Sequence, residues 1–149
     1  MDQYLQRGHG RAPRGKKVHD VRPGRRFKRV NVIGGMQGGK HMATMQYEHT
    51  TTSEFFEGWF RHELLPRTPK GYTIVMDNAR FHRKAQLLEL ARESKVRLLF
   101  LPPYSPDLNP IEHGWANMKK WLRDNTDYWG CLLLAINEYF WWKDYCIHY

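Results

Sequence analysis

The sequence predicts an α/β domain that opens with a β-hairpin and continues as alternating helices and strands. Three observations carry that reading. Short apolar runs rich in β-branched and aromatic residues alternate with longer segments whose apolar residues recur at helical spacing. Clusters of Gly and Pro separate the two kinds of segment. The 149 residues, 41% hydrophobic and 14% aromatic, suffice for one domain with a core and are too apolar for a disordered chain.

Residues 1–27 show neither period and are broken by Gly8, Gly10, Pro13, Gly15, Pro23 and Gly24, which predicts an extended loop. Residues 28–36 and 40–47 predict two strands of a hairpin around Gly38-Gly39, packed through Val30, Val32, Ile33, Met42, Met45 and Tyr47. A helix starts near Thr51, where Thr51-x-x-Glu54 has capping-box form; it carries Phe56, Phe60 and Leu64 inward, and Pro66 ends it. The run 72–77 predicts a buried strand, 83–94 a helix and 96–101 a second strand. Asn109 caps the next helix with Pro110 at its first position, and Ile111, Trp115, Met118 and Leu122 form its buried face. A last helix covers about 128–142, and its aromatic group serves core packing or a subunit contact rather than base stacking.

The net charge of +9 is concentrated at one end. Residues 1–29 hold ten Lys and Arg against Asp2 and Asp20, so eight of the nine net charges lie there. Arg11, Arg14, Lys16, Lys17, Arg25 and Arg26 can release counterions from a polyanion such as DNA; the plain alternative is a solvated basic tail. No run of about 18 apolar residues predicts a membrane span. The N-terminal residues lack the apolar centre of a signal peptide, so the expected location is cytoplasmic, in association with the nucleoid. Cys131 and Cys146 have neither metal-ligand nor redox spacing and are assigned no chemistry.

Two acids set the functional question. Asp77 closes the strand Tyr72-Thr73-Ile74-Val75-Met76, and Glu112 follows the turn-rich Pro102-Pro103-Tyr104-Ser105-Pro106-Asp107-Leu108-Asn109-Pro110, with 34 residues between them. Carboxylates on two distinct rigid elements can fix the geometry of a hard divalent cation. Each also has a purely structural reading. Asp77 can open an Asx-turn with Asn78 and Ala79, and Asn109-x-x-Glu112 has capping-box form.

The letters around these acids go further. Val75-Met76-Asp77-Asn78-Ala79-Arg80-Phe81-His82, then Leu101-Pro102-Pro103-Tyr104-Ser105-Pro106-Asp107-Leu108-Asn109-Pro110-Ile111-Glu112, then Trp115 and Lys119, resemble the DDE transposases of bacterial insertion sequences, in the 630 insertion-sequence branch of the mariner superfamily. The resemblance covers nearly the whole chain. It implies a ribonuclease-H-like mixed sheet flanked by helices, with strand order 3-2-1-4-5, and one DDE endonuclease domain over 1–149. It also implies cleavage and strand transfer of transposon DNA with two Mg²⁺ (or Mn²⁺) ions, and a homo-oligomer or a pairing with an intact transposase. Asp77 and Glu112 match the second and third metal-binding acids. Beside them, His82 can support the site or make an ordinary hydrogen bond, Asn78 can bond Asp77 or simply form the turn, and Lys119 can reach a DNA phosphate or be a solvated surface lysine.

The first acid has no counterpart. Members of that family carry it on the central strand 1, followed closely by a Glu and then by a segment like Asp2-Gln3-Tyr4-Leu5-Gln6-Arg7. Asp2 aligns a few residues past the catalytic position, and the role is not carried over to it. The expectation is therefore a sheet lacking its central strand and a chain inactive alone, either a non-catalytic DNA-binding remnant or a dominant-negative partner of an intact enzyme. Another ribonuclease-H-like nuclease acting on RNA or a hybrid is the third reading.

Overall fold

The structure is a computed structural model that describes residues 30–103, 105–129 and 131–145. The predicted basic loop, Asp2 and Cys146 lie outside the described residues.

Asn31–Gln37 (β1) and Lys40–Tyr47 (β2) form an antiparallel hairpin. Gly38 and Gly39 turn it with φ of 57° and 80°, the left-handed pair that a two-residue turn demands and glycine alone adopts without strain. Ile33 pairs with Met45 and Gly35 with Met42, so Ala43 and Thr44 together oppose Gly34. That extra residue is a β-bulge. Ala43 absorbs it at φ 52°, and its carbonyl accepts a hydrogen bond from Trp59 Nε1 at 2.8 Å.

Helix α1, Ser53–Trp59, is capped one residue later than its sequence suggests. Thr52 Oγ1 accepts from the Phe55 amide at 3.2 Å, while the Thr51 hydroxyl meets the Tyr47 hydroxyl at 2.5 Å and Glu54 turns to Arg83. A π-helical turn, Phe60–Leu64, carries the helix into α2, Leu65–Arg67. Pro66 is the last residue but one of this continuous helical run, which ends at Arg67, as the sequence predicts to within a residue. The Thr68 hydroxyl closes the end on the Leu64 carbonyl. The wider π turn lets Phe60, Leu64 and Leu65 all face inward.

Thr73–Met76 (β3) and Arg97–Phe100 (β4) pair in parallel, joined through Lys84–Glu93 (α3). A 3₁₀ turn, Pro106–Leu108, precedes α4, Ile111–Trp129, and α5 spans Leu132–Tyr145. Residues 128 and 129, expected to start the last helix, continue α4 instead.

Two cores result. Phe56, Phe60 and Leu64 meet Met76, Leu87, Leu90 and Val96 in one, with Ile33, Met42 and Met45 against it. Met118, Leu122, Leu132, Ile136 and Tyr139 form the other with Val30, Val32 and Trp115. The alternation of side chains along a strand puts Val32 and Ile33 on opposite faces, so the hairpin is covered on both sides. The expected α/β class holds. Among the described residues the strands make two separate pairs, β1–β2 and β3–β4, which is compatible with a ribonuclease-H-like domain.

Phe60 is wholly buried, so Phe60→Ala is expected to cost about 3–5 kcal/mol in urea unfolding. The buried Tyr139 hydroxyl has no hydrogen-bond partner among the described residues, so Tyr139→Phe is expected to unfold at an equal or higher urea midpoint with unchanged slope.

Candidate functional site

Asp77 follows β3 directly, just beyond the last bond of the ladder, in which the Leu101 amide donates to the Met76 carbonyl at 2.8 Å. Ile74 and Met76 face the core; alternation therefore turns Asp77 outward, and its side chain is 65% exposed.

The loop after Asp77 is held from behind by His82. Its ring lies 4.3 Å from that of Phe56 and 4.6 Å from that of Phe81, leaving the side chain 3% exposed. Nδ1 donates to the Asp77 carbonyl at 3.2 Å, and the His82 amide donates to the Ala79 carbonyl at 3.0 Å. The Asp77 carboxylate itself is 3.5 Å from Nδ1, too far for a good hydrogen bond. Burial lowers the His82 pKa below its ordinary value, opposed by the nearby Asp77. His82 is thus a neutral donor that fixes the backbone of Asp77. Beside it, Arg83 pairs with Glu54 and lies 3.7 Å from Glu57. The exposed Arg83–Glu54 pair adds little stability, yet both contacts engage Arg83 with α1.

Glu112 reaches the same region from the other direction. The Ser105 hydroxyl donates to the Pro103 carbonyl and the Leu108 amide to the Ser105 carbonyl, so the loop before it is locally bonded. The Glu112 amide donates to the Asn109 carbonyl at 3.1 Å, which starts α4. Glu112 is exposed in the first turn, where a carboxylate complements the positive end of the helix dipole.

Between β1 and β3 lies a cleft of about 830 Å³. Asp77, His82, Glu112 and Lys119 all line it, together with residues 30–36 of the hairpin and residues 73–76. Strand end and helix start, with 34 residues between them, therefore open on one space. Asn78 is half-buried and does not line it. The predicted DNA contacts Arg11, Arg14, Lys16, Lys17, Arg25 and Arg26 lie outside the described residues.

Among the described residues no three His, Cys, Asp or Glu side chains form a metal-binding group. Two exposed carboxylates at one cleft nonetheless suit Mg²⁺, which keeps most of its waters and takes one or two protein carboxylates. Sequence reasoning did not find the part played by Gly34, Gly35 and Gly114, although a Gly pair inside a strand does signal a bulge or a close approach.

A family model for DDE superfamily endonucleases matches residues 1–131. The chain belongs to that family. Within the DDE family it is 33% identical over 79 residues to the Tc1 transposable-element transposase of Caenorhabditis elegans, a stretch covering 53% of this chain and 27% of that protein. The Tcb1 and Tcb2 transposases of Caenorhabditis briggsae are 35% and 37% identical over 54 residues, 36% of this chain and 20% of each relative. The matched stretch thus spans about a quarter or less of the relatives' length.

Since His82 both fills the gap between Phe56 and Phe81 and bonds the Asp77 carbonyl, His82→Ala is expected to cost about 1–3 kcal/mol in thermal unfolding. His82→Phe, which restores only the packing, is expected to recover part of that loss.

Proposed function

We propose that this DDE domain is the catalytic part of a transposase of the 630 insertion-sequence branch, acting on DNA by metal-dependent strand cleavage and strand transfer. The observation that carries the reading is the convergence of Asp77 and Glu112, from a strand end and a helix start, on one cleft. Asp77 and Glu112 would hold the divalent cations. A bound Mg²⁺ or Mn²⁺ supplies activation of a water or DNA 3′-hydroxyl and neutralisation of the leaving oxygen.

The chain's own residues do the rest. His82 keeps the Asp77 backbone in place by its bond to the carbonyl. Lys119 lies two helical turns beyond Glu112 on the cleft wall, about 10 Å along the axis, and offers an ammonium to a phosphodiester. Arg11, Arg14, Lys16, Lys17, Arg25 and Arg26 would hold the DNA backbone outside the cleft. The site of action would be the nucleoid, and the working form an oligomer.

A second reading follows from the two separate β-pairs facing each other across the cleft. In it the chain binds DNA without cutting, or pairs with an intact transposase and poisons it. Strand cleavage decides between the two. On transposon-end DNA with Mn²⁺, the first reading expects nicking that Asp77→Asn and Glu112→Gln each abolish. No nicking, with DNA binding intact, favours the second; nicking that survives Asp77→Asn removes Asp77 from the mechanism.

DNA affinity should fall steeply with salt. Replacing the six basic residues by Gln is expected to reduce the slope of log K against log salt by up to about 5, at roughly 0.9 for each phosphate that is no longer neutralised. An unchanged slope in filter binding would leave them as a solvated tail.

A further inference from the structure

Helix α4 carries Glu112 in its first turn, and its approach to the hairpin is unusually close at two points. A Cβ on Gly114 would lie 2.7 Å from His41 Cε1 and 2.8 Å from Nε2, distances that side chains do not tolerate. A Cβ on Gly34 would lie 3.3 Å from Trp115 Cη2 and 3.0 Å from Thr44 Cγ2. The two contacts interlock: the β2 ring of His41 sits over the bare backbone of α4, and the α4 ring of Trp115 reaches over the bare backbone of β1. The rings themselves touch at a tilt of 31°, with centroids 4.8 Å apart.

His41 has little room to yield. Phe140 lies edge-on at 5.4 Å and Tyr139 at 6.4 Å, both on α5, while Trp115 covers its face. A methyl group at Gly114 is therefore relieved by moving the His41 ring tip against its neighbours, by moving α4, or by both. Going from 2.7 Å to ordinary contact at 3.4 Å displaces the helix by up to about 0.7 Å. Glu112 stands two residues away on the same rigid helix and shares the shift. A metal-binding constellation tolerates displacements of about 0.5 Å.

We propose that Gly114, His41 and Trp115 form a docking joint that positions Glu112 against Asp77, so that the metal affinity of the cleft is set by how closely α4 lies on the hairpin. The proposal rests on the assignment of Asp77 and Glu112 as cation ligands. All three are positioning residues, and none of them needs to touch the cation.

The test is Mn²⁺ affinity of the full chain, read from the loss of the free-ion electron paramagnetic resonance signal, alongside thermal unfolding. Gly114→Ala is expected to weaken Mn²⁺ binding at least fivefold while the chain stays folded at the assay temperature. The double variant His41→Ala/Gly114→Ala removes the opposing ring and is expected to recover affinity to within about twofold of wild type. It also serves if Gly114→Ala alone does not fold. Asp77→Asn and Glu112→Gln are the controls. If they lose Mn²⁺ binding while Gly114→Ala keeps wild-type affinity, or while the double variant fails to recover it, the joint is overturned. If the controls themselves bind Mn²⁺ like wild type, the carboxylate assignment is overturned and the joint falls with it.

Discussion

A two-stranded hairpin that must bury both faces is the constraint on which this structure depends. Two strands alone are marginal in water, so β1 and β2 need cover on each side. The helical stretch through Phe56, Phe60 and Leu64 supplies one cover and the α4–α5 pair supplies the other. The backbones come close because Gly34 and Gly35 present no side chain to either. A Cβ on Gly35 would lie 2.7 Å from Leu64 Cδ1, just as one on Gly34 would crowd Trp115. The hairpin thus becomes the common reference to which both helical layers are fixed.

Asp77 and Glu112 inherit their positions from that arrangement by different routes. Asp77 is placed through the first core: Met76 anchors the strand, and His82, wedged between Phe56 and Phe81, ties the following loop to α1. Glu112 is placed through the second, because Trp115, Met118 and Leu122 seat α4 on the hairpin's other face. Their convergence on one cleft is a property of the whole packing, and both remain exposed enough to keep water, as a hydrated divalent cation requires.

Much of the fold was legible because local physics decided it. The Gly38-Gly39 turn demands positive φ twice, the apolar runs 73–76 and 97–100 are too short for helices, and the Ile111, Trp115, Met118, Leu122 stripe has one interpretation. The errors fall where tertiary partners compete with a local motif. Thr51 and Glu54 have the form of a capping box, but the Tyr47 hydroxyl and Arg83 engage them, and the cap moves to Thr52.

By itself the sequence determined the order and kind of the elements, the asymmetry of its charge and membership of the DDE family. Those properties depend on neighbours in the chain: side-chain period, turn chemistry and motif. Only the tertiary structure decided that Asp77 and Glu112 share a cleft with His82 and Lys119, that His82 serves the Asp77 carbonyl more than its carboxylate, and that His41 rests on Gly114. Each of these joins residues from separate elements, and their meeting is fixed by how two cores close on the faces of one hairpin.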